Sequence, residues 1–255
     1  MIARDSVNTS VPSTDVLAIW VAHARVMSTS TDLTARRQWV DERRAAVTAA
    51  YDAEAATYDA DPYPNDMQQV WVNRVLAAIR PGSTVLDAPC GTGRYFPLIV
   101  EAGHRVVGID QSSGMLAEAA ARNLAAELHH LGLQQLPFGN RFDAAITVDA
   151  MEHVAPEDWP LVLANLHRAV RPGGLLYLTV EEHPGADLAA THEALLARGF
   201  PAVLGEVIDG DVAAYHFYPS RAQVLDWITV EGLNVIDETY HQDNGWGYRH
   251  LLLHG

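Results

Sequence analysis

Residues 85–93, Val-Leu-Asp-Ala-Pro-Cys-Gly-Thr-Gly, run from an apolar segment into a carboxylate and then into two glycines one residue apart. That order describes the end of a buried strand, an acid at its tip, and a turn where backbone approaches a ligand. Gly91 and Gly93 supply the positive-φ freedom and the missing side chains that such a turn needs before a helix predicted to begin near Arg94. About one βα unit later a second apolar run, Arg105–Ile109, ends in Asp110. An acid there is where a doubly wound nucleotide-binding sheet keeps its ribose ligand. The two motifs together confine the chain to α/β folds that bind at the carboxyl ends of parallel strands.

The glycine pattern also selects among nucleotides. A dinucleotide fingerprint requires G-x-G-x-x-G, and its third glycine is replaced here by Phe96. No Gly-Lys-Ser/Thr follows, so a phosphate-cradling P-loop is excluded. On Asp87, Gly91, Gly93 and Asp110 the sequence resembles the class I S-adenosylmethionine-dependent methyltransferases of small-molecule type, similar to those of ubiquinone and menaquinone biosynthesis. The resemblance runs from about Tyr51 to Arg171 and on to the last strand. Leu136-Pro137-Phe138, Phe142-Asp143, Met151-Glu152-His153 and Arg171-Pro172-Gly173-Gly174 fall at the expected intervals. It implies a Rossmann-like, doubly wound, seven-stranded and mostly parallel α/β sheet with an antiparallel last strand and an N-terminal helical lid, with S-adenosyl-L-methionine as cofactor.

Composition narrows the acceptor. A chain of 255 residues with 49% hydrophobic content buries one large core. The formal charge of −15, with only 17 Lys and Arg spread over the whole length, argues against nucleic acid as substrate. Cys90 is the only cysteine, so no intrachain disulfide forms, and a reduced, cytoplasmic compartment fits. No run approaches the roughly 18–20 apolar residues needed to span a bilayer, and the N-terminus lacks the basic and apolar regions of a secretory signal. The expected protein is soluble, a monomer or homodimer, with a small-molecule methyl acceptor and no membrane or nucleic-acid partner.

Along the chain, residues 1–14 read as a flexible N-terminus and 15–66 as a helical lid, with helices over Asp15–Met27 and Asp32–Tyr58. Residues 67–255 read as the methyltransferase domain. Strands are predicted near 83–87, 105–109, 126–130, 142–148 and 174–180, alternating with helices, and Ser112 or Ser113 caps the helix after Asp110. Leu233–Tyr240 and Gly247–His254 form a closing hairpin. Residues 200–219 are an insertion, a hairpin around Asp209-Gly210-Asp211 whose second strand carries Tyr215-His216-Phe217-Tyr218. It is either a wall of the acceptor pocket or a dimer contact.

The resemblance assigns cofactor contacts to Asp87, Ala88, Gly91, Gly93, Asp110, Gln111, Met115, Leu133, Gln134 and Asp149. Asp110 would accept from both ribose hydroxyls, and Asp87 would sit below the methionine amino group. The family's frequent Asp-Ala pair in the adenine loop is Gly132-Leu133 here. Tyr51 and Tyr58 either pack on the core or close over the cofactor; Tyr63, Tyr215, Tyr218 and His250 are expected at the acceptor. Of 12 histidines, His153 stands out after the fourth strand, either as a proton acceptor or as a plain helix-start residue, with His183 and His216 in reserve. Glu181-Glu182 places adjacent acids on opposite faces of a strand, which speaks against a metal site. The expected activity is methyl transfer to O, N or an activated C of an aromatic or alicyclic metabolite. A nicotinamide-dependent oxidoreductase and a catalytically silent cofactor-binding partner are the rival readings.

Overall fold

The computed structural model describes residues 30–60, 66–122, 125–183, 186–209, 214–243 and 246–255. The expected flexible N-terminus, the helix at 15–27, Tyr63 and the Gly210-Asp211 turn lie outside them. The chain opens with a long helix, α1 (Ser30–Glu54), a one-turn 3₁₀ segment (Ala55–Thr57) and α2 (Asp66–Ala78). There follow β1 (Thr84–Asp87), α3 (Phe96–Glu101), β2 (Arg105–Asp110), α4 (Ser113–Arg122), β3 (Glu127–His130), β4 (Phe142–Thr147), α5 (Trp159–Ala169) and β5 (Val170–Glu182). The last third holds α6 (Leu188–Ala197), β6 (Glu206–Asp209), β7 (Ala214–Phe217), α7 (Arg221–Val230), β8 (Asn234–Asp243) and β9 (Trp246–His254).

Seven strands form one sheet in the order β3-β2-β1-β4-β5-β9-β8, while β6 and β7 make a separate hairpin. Strands β1 to β5 pair parallel, and β9 runs antiparallel between β5 and β8. This is the expected doubly wound sheet with its antiparallel last strand. The strand sequences show why. Successive residues point to opposite faces, so a strand covered on both sides reads as an unbroken apolar run. Leu86, Val107, Ala145, Leu176 and Leu251 face a core completed by Trp159, Leu163 and Leu166 of α5 and by Val224 and Ile228 of α7. Their neighbours Val85, Val106, Ala144, Tyr177 and Leu252 face the other, built on Trp71, Val72 and Val75 of α2 and on Phe96 and Ile99 of α3.

Two predicted boundaries move. The helix after the glycine turn begins at Phe96 rather than Arg94, because Gly91 and Gly93 both hold positive φ, +52° and +75°, and the turn needs two more residues to close. The aromatic ring at position 96 fills the space that a third glycine leaves for a ligand: a Cβ on Gly93 would meet it at 2.7 Å, and one on Gly108 would meet it at 2.7 Å as well. Strand β5 starts at Val170 rather than 174, since Phe142 pairs with Val170 before the register shifts to Ala144 with Leu175. The bulge carries Pro172 and Gly173 out of the ladder.

The long helix α1 is fastened at both ends. Near its start, the buried guanidinium of Arg36 donates to Glu157 and to Glu206 of the β6–β7 hairpin, and Trp39 packs edge-on against Tyr215 at 5.8 Å. Near its end, the Asp52 carboxylate accepts from Ser112 Oγ at 2.7 Å and from the Gly114 N–H at 2.8 Å. It thereby serves the N-terminus of α4, where orphan N–H groups favour an anion. The helix therefore bridges the hairpin and the tip of β2. No helix among the described residues is long and apolar enough to cross a membrane.

Candidate active site

The strand order reverses between β1 and β4, and open α/β sheets bind ligands in the crevice outside the carboxyl ends at that switch. A cavity of about 940 Å³, measured out to its open mouth, lies there. Tyr51, Tyr58, Gly91, Asp110, Gln111, Met115, Leu133, Gln134, Asp149 and His153 line it. These residues come from five separate stretches of chain and converge on one space.

At the tip of β2, Asp110 accepts at Oδ1 from the Ser112 N–H at 2.8 Å and at Oδ2 from the Gly91 N–H at 2.9 Å. The glycine turn thus holds the carboxylate in place and leaves each oxygen a further lone pair. Burial raises the Asp110 pKa, and those N–H donors hold the rise back. Asp87 is wholly buried, and neither of its carboxyl oxygens has a hydrogen-bond partner among the described residues. Burial drives its pKa well up, and the Asp110 charge adds to the rise. An orphaned carboxyl of this kind is costly unless a ligand completes it. Asp87 and Ala88 are fully buried, and neither they nor Gly93, which shapes the turn, lines the space.

Gln111 is fixed through its carbonyl, which is 2.9 Å from His130 Nε2. In the loop where Gly132-Leu133 stands, Asn165 Nδ2 donates to the carbonyls of Leu133 and Gln134, both at 3.0 Å. The Gln134 side chain donates to Asp158, which also pairs with Arg44 of α1 at 2.6 Å. Arg44 lines the cavity and carries no motif by which the sequence would reveal it.

His153 is held at both nitrogens. Its Nδ1 is 3.0 Å from the Tyr215 carbonyl, an acceptor only, so Nδ1 carries the proton. The Nε2 lone pair accordingly accepts from the Tyr51 hydroxyl at 2.8 Å. Burial and the neighbouring His216 lower the His153 pKa to about 4, so the ring is neutral at pH 7. Burial pushes the Tyr58 phenol up to about 12 and Tyr51 well above its ordinary value. Rings extend outward in a row, with centroids 6.0 Å apart for Tyr51 and Tyr58, 5.0 Å for His153 and His216, 5.8 Å for His216 and Tyr218, and 5.9 Å for Tyr218 and His183. All three expected histidines therefore share one row, and of them His153 alone lines the cavity.

Two expected acceptor contacts are corrected. Tyr215 turns inward, 2% exposed, and its hydroxyl donates to Glu206 at 2.7 Å; strand alternation sends 215 and 217 to the core and leaves 216 and 218 on the His153 side. His250 is fully buried in the sheet, stacked 5.9 Å from Trp71 and 2.8 Å from the Tyr177 hydroxyl, and it does not reach the cavity. Burial lowers its pKa to about 4.

Asp149, an expected cofactor contact, gathers partners that the sequence does not single out. Asp149, at positive φ of 47°, accepts at Oδ1 from the Gln68 amide, and the Tyr95 hydroxyl donates to Gln68 Oε1 at 2.9 Å. Its N–H donates to Thr179 Oγ1 at 2.9 Å. Glu152 and Glu181 lie beside it, both buried. Glu182 points the other way and pairs with Arg249 at 2.6 Å.

Comparison with known proteins finds methyltransferases. A methyltransferase-domain family model matches residues 85–174. The malonyl-[acyl-carrier protein] O-methyltransferase of Serratia marcescens is 35% identical over 136 residues, 51% of this chain and 51% of that protein. The chain thus spans about half the length of that relative. The demethylmenaquinone methyltransferase of Renibacterium salmoninarum is 28% identical over 82% of this chain and 92% of its own length. Among solved structures, the Burkholderia thailandensis 1,6-didemethyltoxoflavin-N1-methyltransferase, with 1,6-didemethyltoxoflavin and S-adenosylhomocysteine bound, superposes with a TM-score of 0.55. It covers 97% of this chain and 92% of its own at 18% identity, a likeness of fold.

Proposed function

We propose that the chain is a class I S-adenosylmethionine-dependent methyltransferase, a reading supported by the methyltransferase-domain match and the relatives above, and that it transfers a methyl group from S-adenosylmethionine to a small metabolite enclosed under α1. The observation that carries the reading is the pair of acids at the switch point. Asp110 is oriented by two backbone N–H groups with lone pairs to spare, and Asp87 is buried with both oxygens unpartnered among the described residues. A vicinal diol suits the first and an ammonium the second, the two polar features of the cofactor's sugar and amino-acid ends. The residues present fit the group.

When bound, S-adenosylmethionine supplies an electrophilic methyl on a sulfonium. Asp110 would hold the ribose through charge-assisted bonds, Asp87 the methionine ammonium, and Gln111, Met115 and Leu133 the adenine. Tyr51 and Tyr58, brought over the cavity by α1 and the 3₁₀ turn, exclude water. Such enclosure fixes donor and acceptor at near-attack distance, a contribution of up to about 7–11 kcal/mol in model systems. The Tyr51 oxygen then accepts a hydrogen bond from the acceptor's X–H and passes its own proton to His153 Nε2. The Tyr215 carbonyl keeps that nitrogen's lone pair aimed at Tyr51. A lowered pKa makes His153 a neutral, weak base, suited to taking a proton as the new bond forms.

The acidic surface, the compact cavity and the cover of α1 favour a small acceptor, as the related quinone and toxoflavin enzymes have by name. The test is selective stabilisation. S-adenosylhomocysteine at about 100 times its dissociation constant should add roughly 2.7 kcal/mol to stability, whereas NADH should add nothing. Stabilisation by NADH and not by S-adenosylhomocysteine would overturn the proposal.

A further inference from the structure

We infer that the acceptor atom is the nitrogen of an amine, bound among Asp149, Glu152 and Glu181 at the carboxyl ends of β4 and β5. The inference rests on the proposed methyl transfer and names its substrate class.

Glu152 carries the argument. It is 6% exposed, its Oε1 lies 3.9 Å from His153 Nε2, and its Oε2 has no hydrogen-bond partner among the described residues. Glu181 is 8% exposed and has the Tyr248 hydroxyl at 3.5 Å. Asp149 stands at the cavity wall, attached to Gln68. Burial drives the Glu152 pKa well up and the charges of Glu181 and Asp149 add to the rise; burial, and after it the Asp149 charge, raise that of Glu181 to about 7. The cation that bears on Asp149 is Arg94, itself paired with Asp59 at 3.2 Å. Two buried carboxyls, Glu152 half unpartnered, stand behind the partly exposed Asp149, the one of the three that lines the cavity. With so little compensation they make a site that repels a carboxylate or a developing phenolate and welcomes a cation. The rings of Tyr51, Tyr58 and Tyr95 along the cavity add faces that favour an ammonium.

The step balances without a further reagent. The incoming ammonium gives one proton to the Glu152 carboxylate and enters the reaction as a neutral amine. Its lone pair forms the N–C bond while the S–C bond of the sulfonium donor breaks and leaves its electron pair on sulfur. The positive charge passes to the methylated nitrogen, which the remaining carboxylates hold until release. Glu152 takes the proton that frees the lone pair, and the Tyr51–His153 pair accepts the hydrogen bond of the remaining N–H, which becomes more acidic as the N–C bond forms.

The experiment counts labelled methyl transfer to benzylamine, phenethylamine and cyclohexylamine, each beside the alcohol and the carboxylate of the same skeleton. It adds calorimetry of the amines into the protein saturated with S-adenosylhomocysteine. The inference predicts turnover and binding for amines above their matched alcohols and carboxylates. Glu152→Gln should weaken amine binding by about 10-fold or more, the loss of one charged hydrogen bond, leave S-adenosylhomocysteine affinity in place, and raise the melting temperature at pH 8 by relieving repulsion. Glu181→Gln repeats the test if the first variant does not fold. Equal or better use of alcohols or carboxylates, no amine preference anywhere in the panel, or undiminished amine affinity in a folded variant overturns the inference. Failure of the wild type to bind S-adenosylhomocysteine would instead sink the methyl-transfer proposal on which it rests.

Discussion

Arg36→Met tests how α1 is held over the site. The side chain is 5% exposed, and its guanidinium donates to Glu206 Oε2 at 2.8 Å, to Glu157 Oε2 at 2.9 Å and to the Pro201 carbonyl at 3.0 Å. The two acids are not equivalent. Glu157 has 49% of its side chain exposed, so its share of the pair is screened and small. Glu206 is fully buried, and removing its cation leaves an uncompensated charge, a change that costs about 3–5 kcal/mol. Glu206 keeps two other donors, the Tyr215 hydroxyl at 2.7 Å and the Val203 N–H at 2.8 Å, which places the loss near the lower end. Methionine preserves much of the packing on Trp39 and gives up the cation–π contact at 5.0 Å. A loss of about 3 kcal/mol lowers the melting temperature of a chain this size by roughly 6–12 °C. Chemical denaturation should show it, and the Arg36→Met/Glu206→Gln double variant should recover most of it. A loss under about 1 kcal/mol, or a double variant no more stable than the single one, would refute the assignment of the cost to an orphaned Glu206.

Three further predictions follow from the site and its frame. Tyr51→Phe removes the hydroxyl that His153 accepts, and should lower turnover by roughly 10²-fold while S-adenosylhomocysteine affinity, read by calorimetry, barely changes. Gly108→Ala forces a Cβ within 2.7 Å of the Phe96 ring and 2.9 Å of Cys90 Sγ, and thermal melting should show a loss of about 1–3 kcal/mol. Glu181 has its pKa raised to about 7, so between about pH 4.5 and 7 the folded state binds a proton that the unfolded state has lost. Stability tied to this group therefore falls as pH rises through that window, and Glu181→Gln should gain on the wild type across it. A constant difference in melting temperature from pH 4.5 to 8 would contradict that sign.

The parts of this protein written in contiguous residues were legible before the fold was known. Apolar strand runs ending in Asp87 and Asp110, glycines at 91 and 93, and the Ser112 cap depend on neighbours in sequence, and the structure keeps each in its expected place. Distance in the chain hid the rest. Arg36 meets Glu206 across 170 positions, and no local pattern in an Ala-rich helix distinguishes it from a solvated arginine. Glu152 and Glu181 stand inside motifs that were visible, yet only the pairing of β4 with β5 brings them together. Tyr215 and His250 show the converse error: an aromatic or a histidine on a late strand looks available for binding until the alternation of that strand is known.

Calorimetric titration of S-adenosylhomocysteine into the wild type and into Asp110→Asn tests the central claim most directly. The amide retains an oxygen for the turn and loses the charge that the ribose hydroxyls need. The account predicts micromolar binding to the wild type and a loss of about 10- to 100-fold in the variant, the worth of one or two charged hydrogen bonds, with the fold intact by circular dichroism. Equal affinity in the two proteins, or no binding to the wild type, would contradict it.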